Sequence, residues 1–478
     1  MNKSIRSSVI WATLGRYSQM IVSLIVTMVL SRLLTPDEFG IVATVLIFNN
    51  FLYTFIDAGI PSAIIQKKKL SNNDLNTYNT IGFIIGLSLL ILMISVSGTI
   101  ADFFSTEELS FLIPIMGINL VLLGLLGTPT GVLQRNLQFA KLAKIEIASS
   151  VISGTIAIYL AYNDFGYWAL VLQLISQLVV RLILSLFANR CFYYSIELNR
   201  ESIIYLKEYA GYLVLFSSIN YWSRNVDNLV IARFYNDTKL GLYSQAYRLM
   251  FLPVQLISSI INSLVHPYFA KKINKGEGIY DVYALVFGVS IVLSAPISSF
   301  MYFNPELTLK LIWGDQWSDA GSVLSILSIL SLIQPALVTT GDIFKSTNNN
   351  KLLFKVGMLN TIATIVVIYI GASVSFLGVA IGYVSVYLLF VTPVTLYVIC
   401  RFALNVSVLR FLKDISWSLF FSFIIYAINA LISSLNVDIW LSLTVIPLST
   451  ILWLVTTFFY FQKFKLGKGN DSNKFSRT

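Results

Sequence analysis

Four arginines, Arg16, Arg181, Arg224 and Arg248, stand within stretches of sequence that are otherwise apolar. Each has polar company at helical spacing. Gln19 follows Arg16 by three residues; Gln173, Gln177 and Arg181 succeed one another four apart; Asn220, Arg224 and Asp227 share one helical face; Gln245 and Arg248 are three apart. A guanidinium is a planar fork of donors that keeps its charge when dehydrated, so it suits phosphate or pyrophosphate oxygens taken in pairs. The pattern reads as a cationic cavity with Arg16, Gln19, Gln177, Arg181, Asn220, Arg224, Asp227, Gln245 and Arg248 as candidate substrate-binding residues. Plainer readings stand beside this one. Arg181 lies near a helix end and can snorkel. Arg224 and Asp227, three apart, can neutralise each other. Arg16 and Arg248 have no partner in their own helices, which favours the cavity. Asp57 reads as a helix-end contact rather than a proton carrier.

Catalytic constellations are missing. The chain has no Gly-rich phosphate loop, no zinc spacing and one histidine, His266. Its two cysteines, Cys191 and Cys400, exclude a disulfide framework. Asp315 and Asp319 are four apart but flank Trp317 and follow Trp313, which reads as an interfacial aromatic anchor. The chain is therefore expected not to be an enzyme and to hold no metal or cofactor. Coupling to a proton or sodium gradient stays open.

The elements that must position these residues are membrane helices. Of 478 residues 56% are hydrophobic and 12% charged, against roughly 25% charged in soluble proteins. Apolar runs long enough to span a bilayer recur along the chain. Hydropathy and turn signals predict fourteen spans: 9–33, 39–60, 80–103, 110–133, 145–162, 167–189, 209–234, 240–265, 281–303, 320–340, 356–374, 377–400, 415–434 and 439–461. The first reads as a span rather than a cleavable signal, being too long and lacking a small-residue cleavage site. Turn chemistry such as Thr35-Pro36-Asp37 marks the breaks. One alternating set of loops holds 25 of the 33 Lys and Arg, while the opposite set holds only Lys239 and Lys310, with Arg32 at a helix end. This positive-inside pattern predicts both termini in the cytoplasm. The net charge of +10 is thus a topology signal with anionic lipid contact, not nucleic-acid binding. The connecting loops leave no room for a soluble domain.

An internal repeat organises the spans. At an offset of 201 residues Arg32 meets Arg233, Phe39 meets Leu240 and Gly40 meets Gly241. At an offset of 210, GVLQRNLQFAKL from Gly131 lies over GDIFKSTNNNKL from Gly341. Spans 1–6 and 7–12 therefore form two halves of like orientation, a layout suited to alternating access. The expected units are an N-terminal six-helix lobe 1–205, a second lobe 206–401, an appended helix pair 402–461 and a basic tail 462–478.

The stretches RYSQMIVSLIVTMVLSRLLTPDEFGIVA (16–43), DAGIPSAIIQ (57–66) and RNVDNLVIARFYNDTKLGLYSQAYRL (224–249) resemble Wzx-type polysaccharide flippases, in the subgroup that includes colanic acid and teichuronic acid exporters. LLTPDEFG is the most specific run. The resemblance covers spans 1–12 and implies the multidrug/oligosaccharidyl-lipid/polysaccharide exporter superfamily. It implies an all-α fold of two six-helix lobes around a V-shaped cavity, with about fourteen spans in this subgroup. The implied activity is translocation of an undecaprenyl-pyrophosphate-linked oligosaccharide to the outer leaflet of a bacterial cytoplasmic membrane, for exopolysaccharide, capsule, O-antigen or related lipopolysaccharide synthesis. Membrane lipids, a polysaccharide polymerase and glycosyltransferases are the expected partners. A drug or cation antiporter of the same superfamily should favour acids over arginines. A lipid II flippase shares the fold. A membrane-embedded polymerase or glycosyltransferase should show a large outer loop or an acidic catalytic motif, and neither is present. A scaffold without transport is the remaining alternative.

Overall fold

In the computed structural model the described residues are 3–57, 59–189, 196–274, 278–347 and 349–434. They form helices and no strand. In chain order these are α1 (Lys3–Leu33), α2 (Pro36–Asp57), α3 (Ile60–Gln66), α4 (Asn72–Phe104), α5 (Leu109–Arg135), α6 (Phe139–Tyr162), α7 (Trp168–Asn189), α8 (Arg200–Phe234) and α9 (Asp237–Asn274). They continue with α10 (Tyr280–Phe303), α11 (Pro305–Ile312), α12 (Gly321–Val338), α13 (Thr340–Ser346), α14 (Asn350–Val374), α15 (Phe376–Val386), α16 (Thr392–Val398) and α17 (Val408–Ser434). Two π-helical turns, Tyr387–Val391 and Ile399–Ala403, flank α16, so 376–403 runs as one irregular rod. The first precedes Pro393, whose ring crowds a regular turn.

Among the described residues eleven helices are long and apolar enough to cross a membrane. The fourteen expected spans are not all recovered. α8 and α9 overlap the expected spans 209–234 and 240–265 and exceed the needed length, but they are not among the eleven. Span 439–461 lies outside the described residues. Large apolar side chains line the outward faces of the other helices, including Ile91 and Ile94 on α4, Ile362 and Val366 on α14, and Phe423 on α17. Water would not tolerate apolar patches of this extent, and lipid must cover them. The chain is a multi-pass membrane protein.

Local chemistry sets the helix starts. Thr35 and Glu38 form a reciprocal capping box around Pro36: Thr35 N–H donates to Glu38 Oε2 at 2.7 Å, and Glu38 N–H donates to Thr35 Oγ1 at 3.4 Å. Ser71 and Asp74 do the same for α4. Asn236 caps α9, accepting from Lys239 N–H at 3.0 Å.

The helices cluster into two compact units. The first holds the described residues through Ser244 together with Lys310–Ser318; the second holds Gln245–Leu309 and the described residues from Asp319 onward. In unit 1, α4 packs on α5, α6 on α7, and α5 on α7. In unit 2 the same three contacts recur between the repeat equivalents: α10 on α12, α14 on α15, and α12 on α15. The repeat read from two short sequence matches is thus also a repeat of packing. The closest approaches are made by glycine. Gly82 of α4 and Gly124 of α5 lie against each other's carbonyl, as do Gly371 of α14 and Gly378 of α15 in unit 2. Lobes drawn from the repeat and units drawn from packing differ over 206–244, because α8 packs on α2, α3 and α4.

α17, beyond the repeat, is fastened to α10. Ser298 of α10 shares a hydrogen bond with the Tyr426 hydroxyl at 2.5 Å and donates to the Ser328 carbonyl of α12 at 2.6 Å. Asn429 donates to Ser299 Oγ at 2.9 Å. Such polar contacts between helices hold where lipid supplies no hydrophobic drive for association.

The sequence reading of Trp313 and Trp317 as lipid-interface anchors does not hold. Both are fully buried in unit 1 against the end of α1. Trp317 Nε1 donates to the Ser31 carbonyl at 2.7 Å, and Gln316 Nε2 donates to the carbonyls of Ser31 and of Leu34, the latter at 2.7 Å. Ser31 Oγ answers by donating to the Trp313 carbonyl at 3.0 Å, and Arg32 donates to the Leu311 carbonyl at 2.8 Å. A helix end leaves its last carbonyls unpaired, and here a strap of later sequence satisfies them.

Candidate functional site

The candidate polar residues concentrate on three helices, α1, α8 and α9. They carry Arg16, Gln19, Asn220, Arg224, Asp227, Gln245 and Arg248. A charge in a span is costly unless it faces water or a partner, so the neighbours of each residue decide its role.

Arg16 and Arg224 are exposed and make no ion pair or hydrogen bond among the described residues. Asp227 is one turn from Arg224 yet does not pair with it. It is 1% exposed and accepts from the Tyr243 hydroxyl of α9 at 2.9 Å and from Asn228 N–H at 2.9 Å. The i,i+3 spacing allowed mutual neutralisation, but the two side chains differ in surroundings: Arg224 is exposed, and Asp227 is buried against Tyr243 of α9. Arg248 is exposed, whereas Gln245 is 3% exposed and its Oε1 has no hydrogen-bond partner. Gln19 is partly buried. The side chains of Asn220, Asp57 and His266 lie outside the described residues.

Gln177 and Arg181 are engaged within unit 1. Arg181 pairs with Glu146 of α6 at 3.1 Å, and Gln177 Nε2 donates to Ser150 Oγ at 3.1 Å. The polar stripe on α7 is matched by Glu146 and Ser150, also four apart, on α6. That spacing was visible in the sequence; which helix faced α7 was not. Arg181 is therefore a structural cation with a fixed partner. Removing it strands a carboxylate in the membrane. We expect Arg181→Ala to cost about 1–3 kcal/mol, seen as a lower melting temperature in detergent, and Arg181→Ala/Glu146→Gln to recover most of it. Equal melting of wild type and Arg181→Ala would refute the pairing role.

Among the described residues no group of three or more His, Cys, Asp or Glu could hold a metal. What the exposed guanidiniums can do is attract and hold an oxyanion in a low-dielectric setting.

The sequence profile of a family described as polysaccharide biosynthesis protein matches residues 29–322. The teichuronic acid biosynthesis protein TuaB of Bacillus subtilis is 23% identical over 363 residues, covering 74% of this chain and 74% of that protein. The lipopolysaccharide biosynthesis protein WzxC of Escherichia coli is 23% identical over 383 residues, 79% and 77% of the two chains. The succinoglycan biosynthesis transport protein ExoT of Rhizobium meliloti is 25% identical over 371 residues, 77% and 75%. Among solved structures, the lipid II flippase MurJ in an inward closed conformation superposes with a TM-score of 0.74 at 15% identity, over 95% of this chain and 99% of that one. An inward-facing multidrug resistance MATE family transporter of the MOP superfamily superposes with a TM-score of 0.60 at 15% identity, over 85% and 95%. At such identities the structural likeness is one of fold.

Proposed function

Since this chain belongs to the family of polysaccharide biosynthesis proteins, we propose that it is a flippase carrying a polyprenyl-pyrophosphate-linked oligosaccharide from the cytoplasmic to the outer leaflet. The observation that carries this reading is the pair of exposed arginines, Arg16 on α1 and Arg224 on α8, that make no ion pair or hydrogen bond among the described residues. A guanidinium left without a carboxylate keeps its full charge for the pyrophosphate, while the polyprenyl tail stays in lipid. Gln19, partly buried on α1, would offer a neutral polar contact for sugar hydroxyls. Arg181 and Gln177 support the scaffold through Glu146 and Ser150. Asp227, buried against Tyr243, fixes α8 to α9 rather than meeting the sugar.

The cation placement disfavours a drug or cation antiporter, whose cavity should be acidic. The proposal places the protein in a bacterial cytoplasmic membrane with both termini inside, working beside glycosyltransferases that assemble the lipid-linked unit and a polymerase that consumes it. A proton or sodium gradient would supply the drive.

The test is deletion followed by complementation. The deletion strain should lose one surface polysaccharide and accumulate the lipid-linked unit. Wild-type chain should restore export. Arg224→Ala at equal protein level should lose one charge-assisted bond, about 1.5–3 kcal/mol or roughly 10- to 150-fold in export. Arg224→Lys should recover part of it. Selective collapse of the proton or sodium gradient in the same assay identifies the driving ion. Normal polysaccharide in the deletion strain, with no second flippase present, would end the proposal.

A further inference from the structure

Within unit 1, α8 stands between two neighbours. On one flank Asp227 reaches Tyr243 of α9. On the other, the rings of Tyr221 and Trp222 meet that of Phe51 on α2, with centroids 5.8 and 5.0 Å apart, and the Tyr221 hydroxyl donates to the Ile47 carbonyl at 2.6 Å. The rotation of α2 is fixed by Asn49, which is buried and donates from Nδ2 to the Met116 carbonyl of α5 at 2.7 Å. Asn50, the next residue, is exposed, and its amide has no hydrogen-bond partner among the described residues. α2 and α8 run antiparallel, since Gly40 near the start of α2 lies against Asp237, just beyond the end of α8. At about 100° per residue, Asn50 stands roughly a quarter turn from Phe51, and Arg224 a similar angle from the Tyr221–Trp222 contact. In an antiparallel pair both rotations lead to the same side of the seam. Trp222 and Phe55 fall on the other side. The ring contacts also set Asn50 and Arg224 at nearly one depth, within about 3 Å at a rise of about 1.5 Å per residue.

We propose that Asn50 and Arg224 form one binding site, in which Arg224 holds the pyrophosphate and Asn50 reads the sugar joined directly to it. The proposal rests on the flippase reading and adds to it a specificity residue on a second helix. An exposed amide and an exposed guanidinium at mid-span are costly against hydrocarbon, so the side of the seam that carries both suits water and a polar ligand. The aromatic side suits lipid. Axes of packed helices lie about 8–10 Å apart, a span that a phosphate and its attached sugar can bridge. The two groups divide the work. A guanidinium takes oxyanion oxygens in pairs, and every polyprenyl-pyrophosphate-linked unit offers those. A neutral amide carries both donors and an acceptor, matched to sugar hydroxyls or an acetamido group. It discriminates because a sugar lacking the right partner leaves the amide unpaired in the closed complex. Nothing local in the sequence distinguishes Asn50 from Asn49; the contact of Asn49 with α5 does.

The experiment titrates the purified full chain in detergent with undecaprenyl pyrophosphate and with its glucose-, galactose- and N-acetylglucosamine-linked forms. Wild type should bind at least one sugar-linked form more tightly than the bare pyrophosphate. Asn50→Ala should remove that preference, a loss of about 2- to 10-fold for the preferred form, and should bind the bare pyrophosphate as wild type does. Arg224→Ala should weaken all four ligands. Asn50→Asp sets a carboxylate beside Arg224 and should weaken the bare pyrophosphate as well, which a residue remote from Arg224 would not do. Neither side chain is packed, so all three variants should melt with wild type. An Asn50→Ala variant that keeps the preference, or an Asn50→Asp variant that binds the bare pyrophosphate normally, overturns the proposal and leaves the flippase reading standing. A wild-type chain that binds no form, or all four alike, also overturns it. Failure of the flippase reading shows differently, as normal surface polysaccharide in the deletion strain.

Discussion

Replacing Gly82 with valine should leave little correctly folded protein, while Gly98→Val on the same helix should be nearly silent. Gly82 has the Gly124 backbone directly over it and Gly98 has nothing within 4 Å. One turn on, a Cβ at Gly86 would come within 2.6 Å of the Leu120 carbonyl and 2.8 Å of Val121 Cα. A side chain in the way can rotate aside; a backbone can yield only if the helix moves. Overpacking a core costs about 1–3 kcal/mol when side chains can adjust, so a clash with a carbonyl should exceed that. Lipid makes matters worse, because α4 and α5 gain no hydrophobic drive from meeting and depend on close approach. The measurement is the monodisperse fraction and melting temperature in detergent for the two variants. Wild-type values for Gly82→Val would show that the seam is not close-packed.

The second large effect is expected at Trp317. Trp317→Ala should cost about 3–5 kcal/mol, the usual range for emptying a buried aromatic site. Trp317→Phe should keep most of the packing against Phe39 and lose only the bond to the Ser31 carbonyl, about 1 kcal/mol. An interfacial anchor would behave otherwise: its truncation would be mild, and Phe would be no worse than partial. Melting curves in detergent, where no bilayer interface exists to anchor to, separate the two cases. A silent Trp317→Ala would return the residue to the surface.

Trp317 also shows where sequence reading stops. Two tryptophans and two aspartates in a short loop match the composition of an interface belt, and nothing local distinguishes that from a plug. The distinction depends on the end of α1, 286 residues earlier in contact, whose free carbonyls the loop completes. Arg181 and Arg224 make the same point with the opposite sign of surprise. Both are arginines in spans with polar neighbours on their own helices. One is neutralised by Glu146 from another helix and the other points away from the acid on its own.

The membrane class, most of the spans and the two-fold repeat were determined by the sequence alone. These follow from properties each stretch carries by itself: length, apolar content, charge at its ends, and capping residues such as Thr35 and Asn236. Which helix face meets which was decided by tertiary structure, because pairing energies depend on groups far apart in the chain. That level settled the glycine seams and the fate of each arginine. It also decided the meeting of Gly40 with the Asp237 carbonyl, where the sequence showed only that Gly40 and Gly241 correspond.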